Sequence, residues 1–252
     1  MEDKEKRIEK FLVTEKVYHY TSFISALRII TSKQLRFGKL SQMNDCTEVY
    51  RRKCYTGGID LKSIEKEYSK YKQLSFTKDK SLYAGYAISA MWGHYAEKGY
   101  GVCLVFDKKE LRKLLKKNMT RRDVSYKKIK DENIYVEDRN VQAFFEKHKK
   151  EIFFRKTKDW SYEQEWRILV RSEQQETYLP IGNSLIAIIM NFAPDVDCGD
   201  CVFNSNNAKI FKKVVPDIPI LSYGLWSGMP NLSDGNGNDW SKHHDEKIEL
   251  DL

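Results

Sequence analysis

The chain has 252 residues, of which 32% are charged, and 44 Lys and Arg outnumber 36 Asp and Glu to give a net charge of +8. This length allows one large domain or two small ones, with enough residues for a sizeable core. No apolar stretch approaches the roughly 18 residues that span a bilayer, and residues 1–10 lack the apolar run of a secretory signal. We therefore expect a basic, cytoplasmic protein that makes no membrane contact.

The spacing of apolar residues predicts strands and helices that alternate irregularly along the chain. In the first part of the chain we expect a strand at 16–20, a helix at 22–31 capped by Ser22, a strand at 35–37, a helix at 48–52, a strand at 74–76 and a helix at 81–96. A strand at 101–106, a basic helix that begins at Asp107, an edge strand at 124–127 and a helix at 141–154 follow. The last predicted elements are strands at 163–170, 177–179 and 185–190, a helix at 198–212 and a strand at 218–223. Because regular βαβ alternation is missing, the pattern predicts an α+β fold.

The predicted domain is a single α+β unit that covers residues 12–226. Residues 1–11 form a charged lead, and residues 227–252 are rich in Gly, Asn, Asp and Ser, which predicts a loosely ordered tail. The runs at 102–106 and 185–190 are almost continuously apolar, as is typical of strands buried on both faces. We expect these two strands at the centre of a mixed, mostly antiparallel sheet that is flanked by helices.

Cysteines and known catalytic motifs point to no metal. Cys198 and Cys201 have the spacing of metal ligands, but no second such pair exists, and His243 and His244 are adjacent instead of three to five residues apart. A structural zinc site needs four ligands, so we interpret these cysteines as reduced thiols. Glycine-rich phosphate-binding loops, GxSxG and HExxH are also missing from the sequence.

A run of cations follows residue 107. Its members are Lys108, Lys109, Arg112, Lys113, Lys116, Lys117, Arg121, Arg122, Lys127, Lys128 and Lys130. Such a run is usually the solvated face of an amphipathic helix. The alternative is a phosphate-facing patch, so segment 108–130 is also a candidate surface for nucleic acid or a pyrophosphate.

Four short polar segments interrupt the apolar pattern: 19–22 (HYTS), 44–48 (NDCTE), 91–95 (MWGHY) and 160–167 (WSYEQEWR). If 163–170 is a strand, side-chain alternation places Glu163, Glu165 and Arg167 on one face. Two carboxylates and a guanidinium beside an apolar run cannot all belong to a core, and the flanking tryptophans would be unusual in open water. The pattern therefore favours a polar cleft.

In this order, the four segments resemble bacterial proteins of the domain of unknown function 2971. That family has an HYTS-like strand, an NDxxE turn, a WxHYA segment leading into a glycine-started strand, and a WxxExEWR strand. In this chain the last two read MWGHYAEKGYGVCLVF (91–106) and WSYEQEWRI (160–168). The resemblance runs from about residue 17 to about residue 223, and it implies no function.

Each motif residue also has a structural explanation. A strand histidine such as His19 commonly bonds a backbone carbonyl, Asn44 and Asp45 can form a turn that caps the helix holding Glu48, and Trp92 can be a core aromatic. Against these explanations, we predict that the segments converge on one concave surface. The expected ligand-binding residues are Tyr20, Thr21, Ser22, Asn44, Asp45, Glu48, Trp92, His94, Tyr95, Trp160 and Arg167.

A second resemblance bears on chemistry. A histidine on the first strand, a central aromatic and a glutamate on a later strand are similar to the H-Y-E arrangement of the ADP-ribosyltransferase superfamily, whose fold is a compact α+β split sheet. The resemblance implies that NAD is the substrate, that His19 holds its ribose hydroxyls and that Glu165 stabilises the oxocarbenium ion. It also implies that Tyr95 stacks on nicotinamide, with Tyr83 and Tyr86 as less good matches for that role. Glu163 is the third catalytic candidate.

Three functions follow as hypotheses. The first is an NAD-dependent ADP-ribosyltransferase-like enzyme, such as a bacterial toxin or phage-defence effector, because a fixed carboxylate suits the cation that forms in glycosidic cleavage. The second is a non-catalytic regulatory domain that binds a small nucleotide or an anion. The third is a nuclease or hydrolase that uses Asp45, Glu48, Glu163 and Glu165.

Overall fold

The computed structural model describes residues 2–45, 55–56, 61–80, 84–127, 135–136, 140–191, 199–226 and 229–234. The helices in these ranges are α1 (Glu2–Val13), α2 (Phe23–Ser32), α3 (Leu61–Tyr68), α4 (Ser89–Tyr95), α5 (Lys108–Lys113), α6 (Val141–Lys147), α7 (Lys149–Phe153) and α8 (Gly199–Val214). Short 3₁₀ helices occur at Leu40–Gln42, Gly85–Ala87, Glu97–Gly99 and Lys158–Glu163. Among the described helices, none combines the length and the apolar character needed to cross a membrane.

The strands build one large sheet and three small ones. They are β1 (Lys16–Thr21), β2 (Gln34–Arg36), β3 (Gly38–Lys39), β4 (Tyr55–Thr56), β5 (Tyr71–Lys78), β6 (Val102–Asp107), β7 (Met119–Asp123), β8 (Ser125–Lys127), β9 (Tyr135–Val136), β10 (Arg155–Thr157), β11 (Glu165–Arg171), β12 (Tyr178–Pro180), β13 (Leu185–Asn191), β14 (Ile220–Trp226) and β15 (Met229–Asp234). In the described part of the chain, nine strands form one sheet in the order β15-β14-β13-β6-β1-β5-β11-β7, with β3 beside β5. Strands β8 and β10, β2 and β12, and β4 and β9 form two-stranded sheets.

The large sheet confirms the predicted fold class. Its neighbouring strands are antiparallel except for the parallel pair of β13 and β14. Strands β6 and β13 lie side by side at its centre, and their apolar residues are buried on both faces, as their composition predicts. The chain is therefore an α+β protein with a mixed, mostly antiparallel sheet.

Apolar side chains form three buried clusters around this sheet. The first core lies between one face and helices α2 and α8, and includes Val17, Phe76, Leu104, Trp166 and Phe211. The second core lies on the opposite face of the half that contains β1 and β6, against α1 and α4, and includes Phe11, Tyr20, Trp92, Val105 and Tyr223. The third core lies on that same face at β11, under α3, α6 and α7, and includes Tyr68, Phe145, Phe153 and Leu169.

Two predicted helix starts are confirmed by their capping bonds. The Ser22 hydroxyl accepts a hydrogen bond from the Ser25 amide at 3.1 Å. The Asp107 carboxylate accepts bonds from the amides of Lys109 and Glu110 at 2.8 and 3.0 Å. Short side chains that satisfy free amides of the first turn are what a helix needs to begin.

The predicted helix at 81–96 is wrong in length, because only Ser89–Tyr95 is α-helical and residues 81–83 lie outside the described ranges. The preceding Gly85 is tied to the sheet: its amide and the Tyr18 hydroxyl both donate to the same oxygen of Asp79, each at 2.8 Å. These bonds hold the chain ahead of α4 in a non-helical path.

Two other predicted helices are also interrupted. The predicted helix at 141–154 breaks at His148, whose ring packs on Phe144 at 4.7 Å. The change of direction lets Phe145 and Phe153 meet in the third core, with ring centroids 5.9 Å apart. The basic helix ends at Lys113, and the later part of the cation run forms strand β7.

The predicted tail at 227–252 is corrected for residues 229–234, which form the edge strand β15. Within this strand, Leu232 is fully buried in the second core. The rest of that predicted tail, and the predicted helix at 48–52, lie outside the described residues.

The sheet divides at β5. Strand β1 pairs with the last two residues of β5, and β3 pairs with Lys72 and Gln73. Between these pairings, Leu74, Ser75 and Phe76 pair only with β11 among the described strands. We call this opening between β1 and β3 the fork.

Gly101 precedes β6 at a position where a side chain does not fit. An added Cβ would lie 2.4 Å from the Thr21 carbonyl oxygen and 2.8 Å from the Ala96 Cα. Because both neighbours are backbone atoms, we expect Gly101→Ala to lower the free energy of unfolding by about 1–3 kcal/mol in urea titrations. Gly93→Ala is the matched control, since nothing lies within 4 Å of its added Cβ and Ala favours a helix by about 1 kcal/mol. Equal stability of Gly101→Ala and the wild type would contradict this close contact.

Candidate functional site

A cavity of about 290 Å³ opens at the fork. The residues of this fork cavity come from β1, from the segment between β2 and Asp45, from β5, from α4, and from the segment that leads into β11. The lining side chains that bear polar groups are Tyr18, His19, Tyr20, Arg36, Gln42, Asn44, Asp45, Gln73, Ser75, Thr77, Tyr95, Lys156, Glu163 and Glu165. Each of the four polar segments therefore contributes at least one lining residue. For the segment 44–48 this holds although residues 46–48 lie outside the described ranges.

His19 is half-buried at the open edge of β5. Its Nδ1 lies 3.2 Å from the Ser75 carbonyl oxygen, which can only accept, so Nδ1 carries the proton. Burial lowers the pKa of His19, which keeps the ring neutral and leaves Nε2 as an acceptor. The predicted structural role and a role in the cavity are thus both compatible with this position.

His19 and Glu165 line the fork cavity from opposite faces of the sheet. The His19 ring packs against Phe76, with centroids 5.6 Å apart, in the layer of the first core. Phe76 pairs with Trp166 across the strands, so Thr77 and its partner Glu165 face the other way. The two side chains reach one cavity only because the sheet is open at this point.

Glu163 is buried and is held by two donors. The Tyr95 hydroxyl donates to its Oε1 at 2.6 Å, and the Lys156 Nζ donates to its Oε2 at 2.6 Å. Lys156 also lies 3.1 Å from an oxygen of Glu165, and only 6% of its side chain is exposed. One buried lysine therefore joins the two carboxylates.

Glu165 is held even more completely. Arg167 donates to both of its oxygens, from Nε at 2.6 Å and from Nη2 at 2.8 Å. Arg167 is itself 1% exposed, and its Nη1 donates to the Phe153 carbonyl at 2.5 Å. The amide of Glu165 donates to the Tyr126 hydroxyl at 2.8 Å. A bidentate pair of this kind fixes the carboxylate in both position and orientation.

The surroundings of the two carboxylates shift their pKa values in opposite directions. Burial raises the pKa of Glu163. The attraction of Lys156 lowers this pKa and the charge of Glu165 raises it again, so the net shift is upward. Burial would also raise the pKa of Glu165, but Arg167 and Lys156 outweigh it and hold that pKa far below its ordinary value. Glu165 is thus the permanent anion of the pair, and Glu163 is the group that gains a proton first.

The strand predicted at 163–170 is wrong at its start. Glu163 ends a 3₁₀ helix, and Gln164 has a left-handed backbone with φ of 46°, so the strand begins at Glu165. Glu165 and Arg167 share a face as alternation predicts, while Glu163 comes to the same cluster from the turn. The prediction of one shared polar region is correct although its local geometry is not.

Several other predicted ligand residues do not line the fork cavity. Trp92 is 3% exposed in the second core, where its Nε1 donates to the Tyr86 carbonyl and its ring stacks on Tyr223. Ser22 caps α2, and Thr21 ends β1 beside Gly101. Arg167 lies behind Glu165 as its ion-pair partner. Glu48 lies outside the described residues.

The remaining predicted residues lie in or beside the cavity. Asn44 and the buried Asp45 line it, and so does Tyr20, whose hydroxyl donates to the Gly85 carbonyl at 2.6 Å. His94 is exposed and Trp160 is half-buried, and their rings are neighbours at 6.3 Å. These two residues lie next to Tyr95 and Lys156, which line the cavity.

Several residues that line the cavity carry no signal in the sequence that would select them. Lys156 is one of many lysines, and nothing in its neighbourhood marks it as buried. Gln73 is 3% exposed, and its Oε1 has no hydrogen-bond partner among the described atoms. Ser75 and Arg36 complete this set. They are recognisable only once β5 is seen to be open at the fork.

The predicted cation run is divided between a helix and an edge strand. Lys108 pairs with Glu15, and Lys113 pairs with Glu110. The members that are exposed and make no ion pair with any described residue are Lys109, Arg112, Lys116, Lys117, Arg121, Arg122 and Lys127. Their role as a surface for nucleic acid stays a prediction.

Within the described ranges, no group of three or more His, Cys, Asp and Glu side chains is arranged to hold a metal ion. Cys198, His243 and His244 lie outside these ranges. The expectation that the protein binds no metal therefore stays a prediction.

The fold and the cavity define an α+β protein whose split sheet encloses a buried cluster of two carboxylates, a lysine and an arginine. Residues 91–168 match the model of a family described as "Protein of unknown function (DUF2971)". The matched stretch is less than a third of the chain, and it includes Tyr95, Lys156, Glu163, Glu165 and Arg167. It supports the resemblance of the MWGHY and WSYEQEWR segments to that family. No curated protein and no solved structure matches the chain.

Removing Arg167 should reveal how strongly the cluster depends on charge balance. Because Glu165 would then be buried without its bidentate partner, we expect Arg167→Met to lower the free energy of unfolding by about 3–5 kcal/mol in urea titrations. Arg171→Met is the matched control. Arg171 lies on the same strand as Arg167 and pairs with Glu67 of α3, but its side chain is 23% exposed and Glu67 keeps Lys70 at 3.0 Å as a second partner, so the loss should not exceed about 1 kcal/mol. Similar losses in the two variants would show that the buried cluster is no more demanding than this partly exposed pair.

Proposed function

We propose that the chain cleaves the bond between nicotinamide and ribose in NAD and transfers the ADP-ribosyl group, with the fork cavity as the active site. The observation that supports this function is the pair of buried carboxylates with opposite pKa shifts, which line the same cavity as a neutral histidine. Such divided environments are typical of sites in which one carboxylate supplies charge and the other exchanges a proton. The biological setting in this proposal is a bacterial toxin or phage-defence effector.

The size of the cavity suits one end of the dinucleotide. Pockets for small molecules usually measure about 300–1,000 Å³, and the fork cavity is at the lower limit of that range. It offers room for the nicotinamide ring and its ribose, so the adenosine end must lie outside. The buried Gln73 Oε1 has no described partner and suits the donor N–H of a carboxamide.

The proposed reaction needs no proton on the leaving group. The bond between C1′ and the pyridinium nitrogen breaks, its electron pair goes to the nitrogen, and nicotinamide leaves as a neutral molecule. The positive charge that develops at C1′ faces the anion of Glu165, which Arg167 and Lys156 hold in place before the reaction begins. A preorganised charge of this kind lowers the barrier because it need not reorient.

His19 and Glu163 have separate roles in this proposal. The neutral His19 ring accepts a hydrogen bond from a ribose hydroxyl through Nε2, since Nδ1 is occupied by the Ser75 carbonyl. When an acceptor forms its bond to C1′, its proton passes to Glu163. A carboxylate with a raised pKa is a better base than an ordinary one, provided that it is ionised at the working pH.

A binding function is the second candidate, and it too has an observation in its favour. Both oxygens of Glu165 already accept hydrogen bonds from Arg167, and Lys156 adds a third contact. A carboxylate so completely paired can simply anchor the cleft of a regulatory domain that binds a nucleotide or an anion. The nuclease or hydrolase hypothesis stays a prediction, testable by adding magnesium and single-stranded RNA.

Release of nicotinamide from NAD, measured by chromatography, tests the enzymatic proposal. We expect Glu165→Gln to lower the rate by about 100-fold or more, since it removes the charge opposite the developing cation. Glu67→Gln is the matched control, because Glu67 also accepts a bidentate bond from an arginine, Arg171, but does not line the cavity. This control should turn over NAD at the wild-type rate.

The stability of Glu165→Gln must be measured in parallel, because the substitution leaves Arg167 and Lys156 without a full counter-charge. Rates are therefore compared per folded molecule, at a temperature where circular dichroism shows both proteins folded. A wild-type rate for Glu165→Gln would exclude the proposed role of Glu165. No nicotinamide release by the wild type with water, protein or RNA as acceptor would favour the binding function.

The pH dependence of turnover tests the role of Glu163. Its pKa is raised above the ordinary value of 4.5, so the base becomes available only as the pH rises through that higher value. We expect the rate to fall on the acid side with a midpoint above 4.5, although Glu165 stays ionised there. In Glu163→Gln this acid limb should disappear along with most of the activity. An unchanged acid limb in Glu163→Gln would assign it to another group.

A further inference from the structure

Three rings form an aromatic cluster at the edge of the fork cavity. His94 lies in the last turn of α4, and Trp160 and Tyr162 belong to the 3₁₀ helix before β11. Their ring centroids are 6.3 Å apart from His94 to Trp160, 6.3 Å from His94 to Tyr162 and 6.0 Å from Trp160 to Tyr162. We call these three residues the rim cluster.

The rim cluster is joined to the cavity by direct contacts. The His94 ring packs on Tyr95, with centroids 6.2 Å apart, and Tyr95 bonds Glu163. The Nζ of Lys156 lies 5.4 Å from the centre of the Trp160 ring. Burial raises the pKa of Tyr162, the charge of Glu163 raises it further, Lys156 lowers it and Asp45 raises it.

Core packing explains only part of the rim cluster, since Tyr162 packs against the second core. Trp160 belongs to none of the three apolar cores formed by the described residues. His94 is exposed, and Trp160 and Tyr162 are half-buried. Large rings kept partly in water next to a cavity resemble the stacking platforms on which nucleobases bind.

We propose that the rim cluster stacks the purine base of an adenine nucleotide whose other end enters the fork cavity. This inference rests on the proposed function for the choice of NAD, and it follows from the size of the cavity, which leaves the adenosine end outside. Tyr95 lines the cavity and His94 belongs to its rim, with ring centroids 6.2 Å apart, so the rings lie directly beside the cavity that the other end of the nucleotide enters. Trp160 supplies the largest stacking surface, with His94 and Tyr162 at its sides.

The affinity of the protein for ADP, measured by isothermal titration calorimetry, tests the inference without any turnover. Loss of a stacking ring weakens base binding by about tenfold or more, so we expect that loss for Trp160→Ala, with most of the affinity kept in Trp160→Phe. His94→Ala is a second variant, since its exposed side chain can be removed without disturbing a core; it should weaken ADP binding several-fold. Tyr100→Ala removes an exposed ring outside the cluster and should leave the affinity unchanged.

Nicotinamide mononucleotide separates the purine from the rest of NAD. Trp160→Ala should weaken binding of ADP and NAD but not of nicotinamide mononucleotide, which has no purine. Equal weakening of all three would assign the rim cluster to the nicotinamide end and overturn the inference. Failure of the wild type to bind millimolar ADP, or an unchanged affinity in Trp160→Ala, would also overturn it. ADP binding that depends on Trp160, without nicotinamide release, would uphold the base site while the proposed enzyme activity fails.

Discussion

The ion pair between Glu165 and Arg167 determines how the rest of the site is arranged. Burying these two charges is costly unless each keeps its hydrogen bonds, and here Nε and Nη2 of the arginine donate to Glu165 while Nη1 donates to the Phe153 carbonyl. Lys156 extends the pair to Glu163, and Tyr95 completes that carboxylate. Elements that are distant in the sequence, α4, α7, β10 and β11, therefore meet at one polar cluster.

The polar cluster lies on the face of the sheet where the apolar layer is interrupted. On one face, the first core runs without interruption from β1 and β6 to β5 and β11. On the other face, the second core covers the strands on one side of the fork and the third core covers those on the other side. The charged groups and the cavity occupy the space between these two cores. A polar site in this place needs the complete set of internal hydrogen bonds that the structure provides.

Much of the fold could be predicted from local patterns, because those patterns have local causes. The apolar runs of β6 and β13 and the capping residues Ser22 and Asp107 express burial and free amides directly. The break at His148 and the edge strand β15 could not be predicted, since packing against distant residues causes both. Leu232 is an example: it is buried in a strand whose surrounding composition predicts a loosely ordered tail.

The candidate site shows the same limit. Alternation correctly placed Glu165 and Arg167 on one face, but the left-handed Gln164 changes how Glu163 arrives there. Trp92 and Trp160 both lie in polar segments, and the sequence does not distinguish them. Only tertiary packing shows that Trp92 is buried whereas Trp160 lies at the rim. Lys156 had no distinguishing mark in the sequence, because its burial depends on two glutamates that follow it.

The fork leaves the two halves of the sheet joined by few strand pairings. Six residue pairs join β1 to β6, whereas only two, Val17 with Lys78 and Tyr18 with Thr77, join β1 to β5. The two halves of the sheet are thus connected on one face by the uninterrupted first core and at the strands by a short seam. A molecule bound in the fork would touch both halves at once and act as a strut between them.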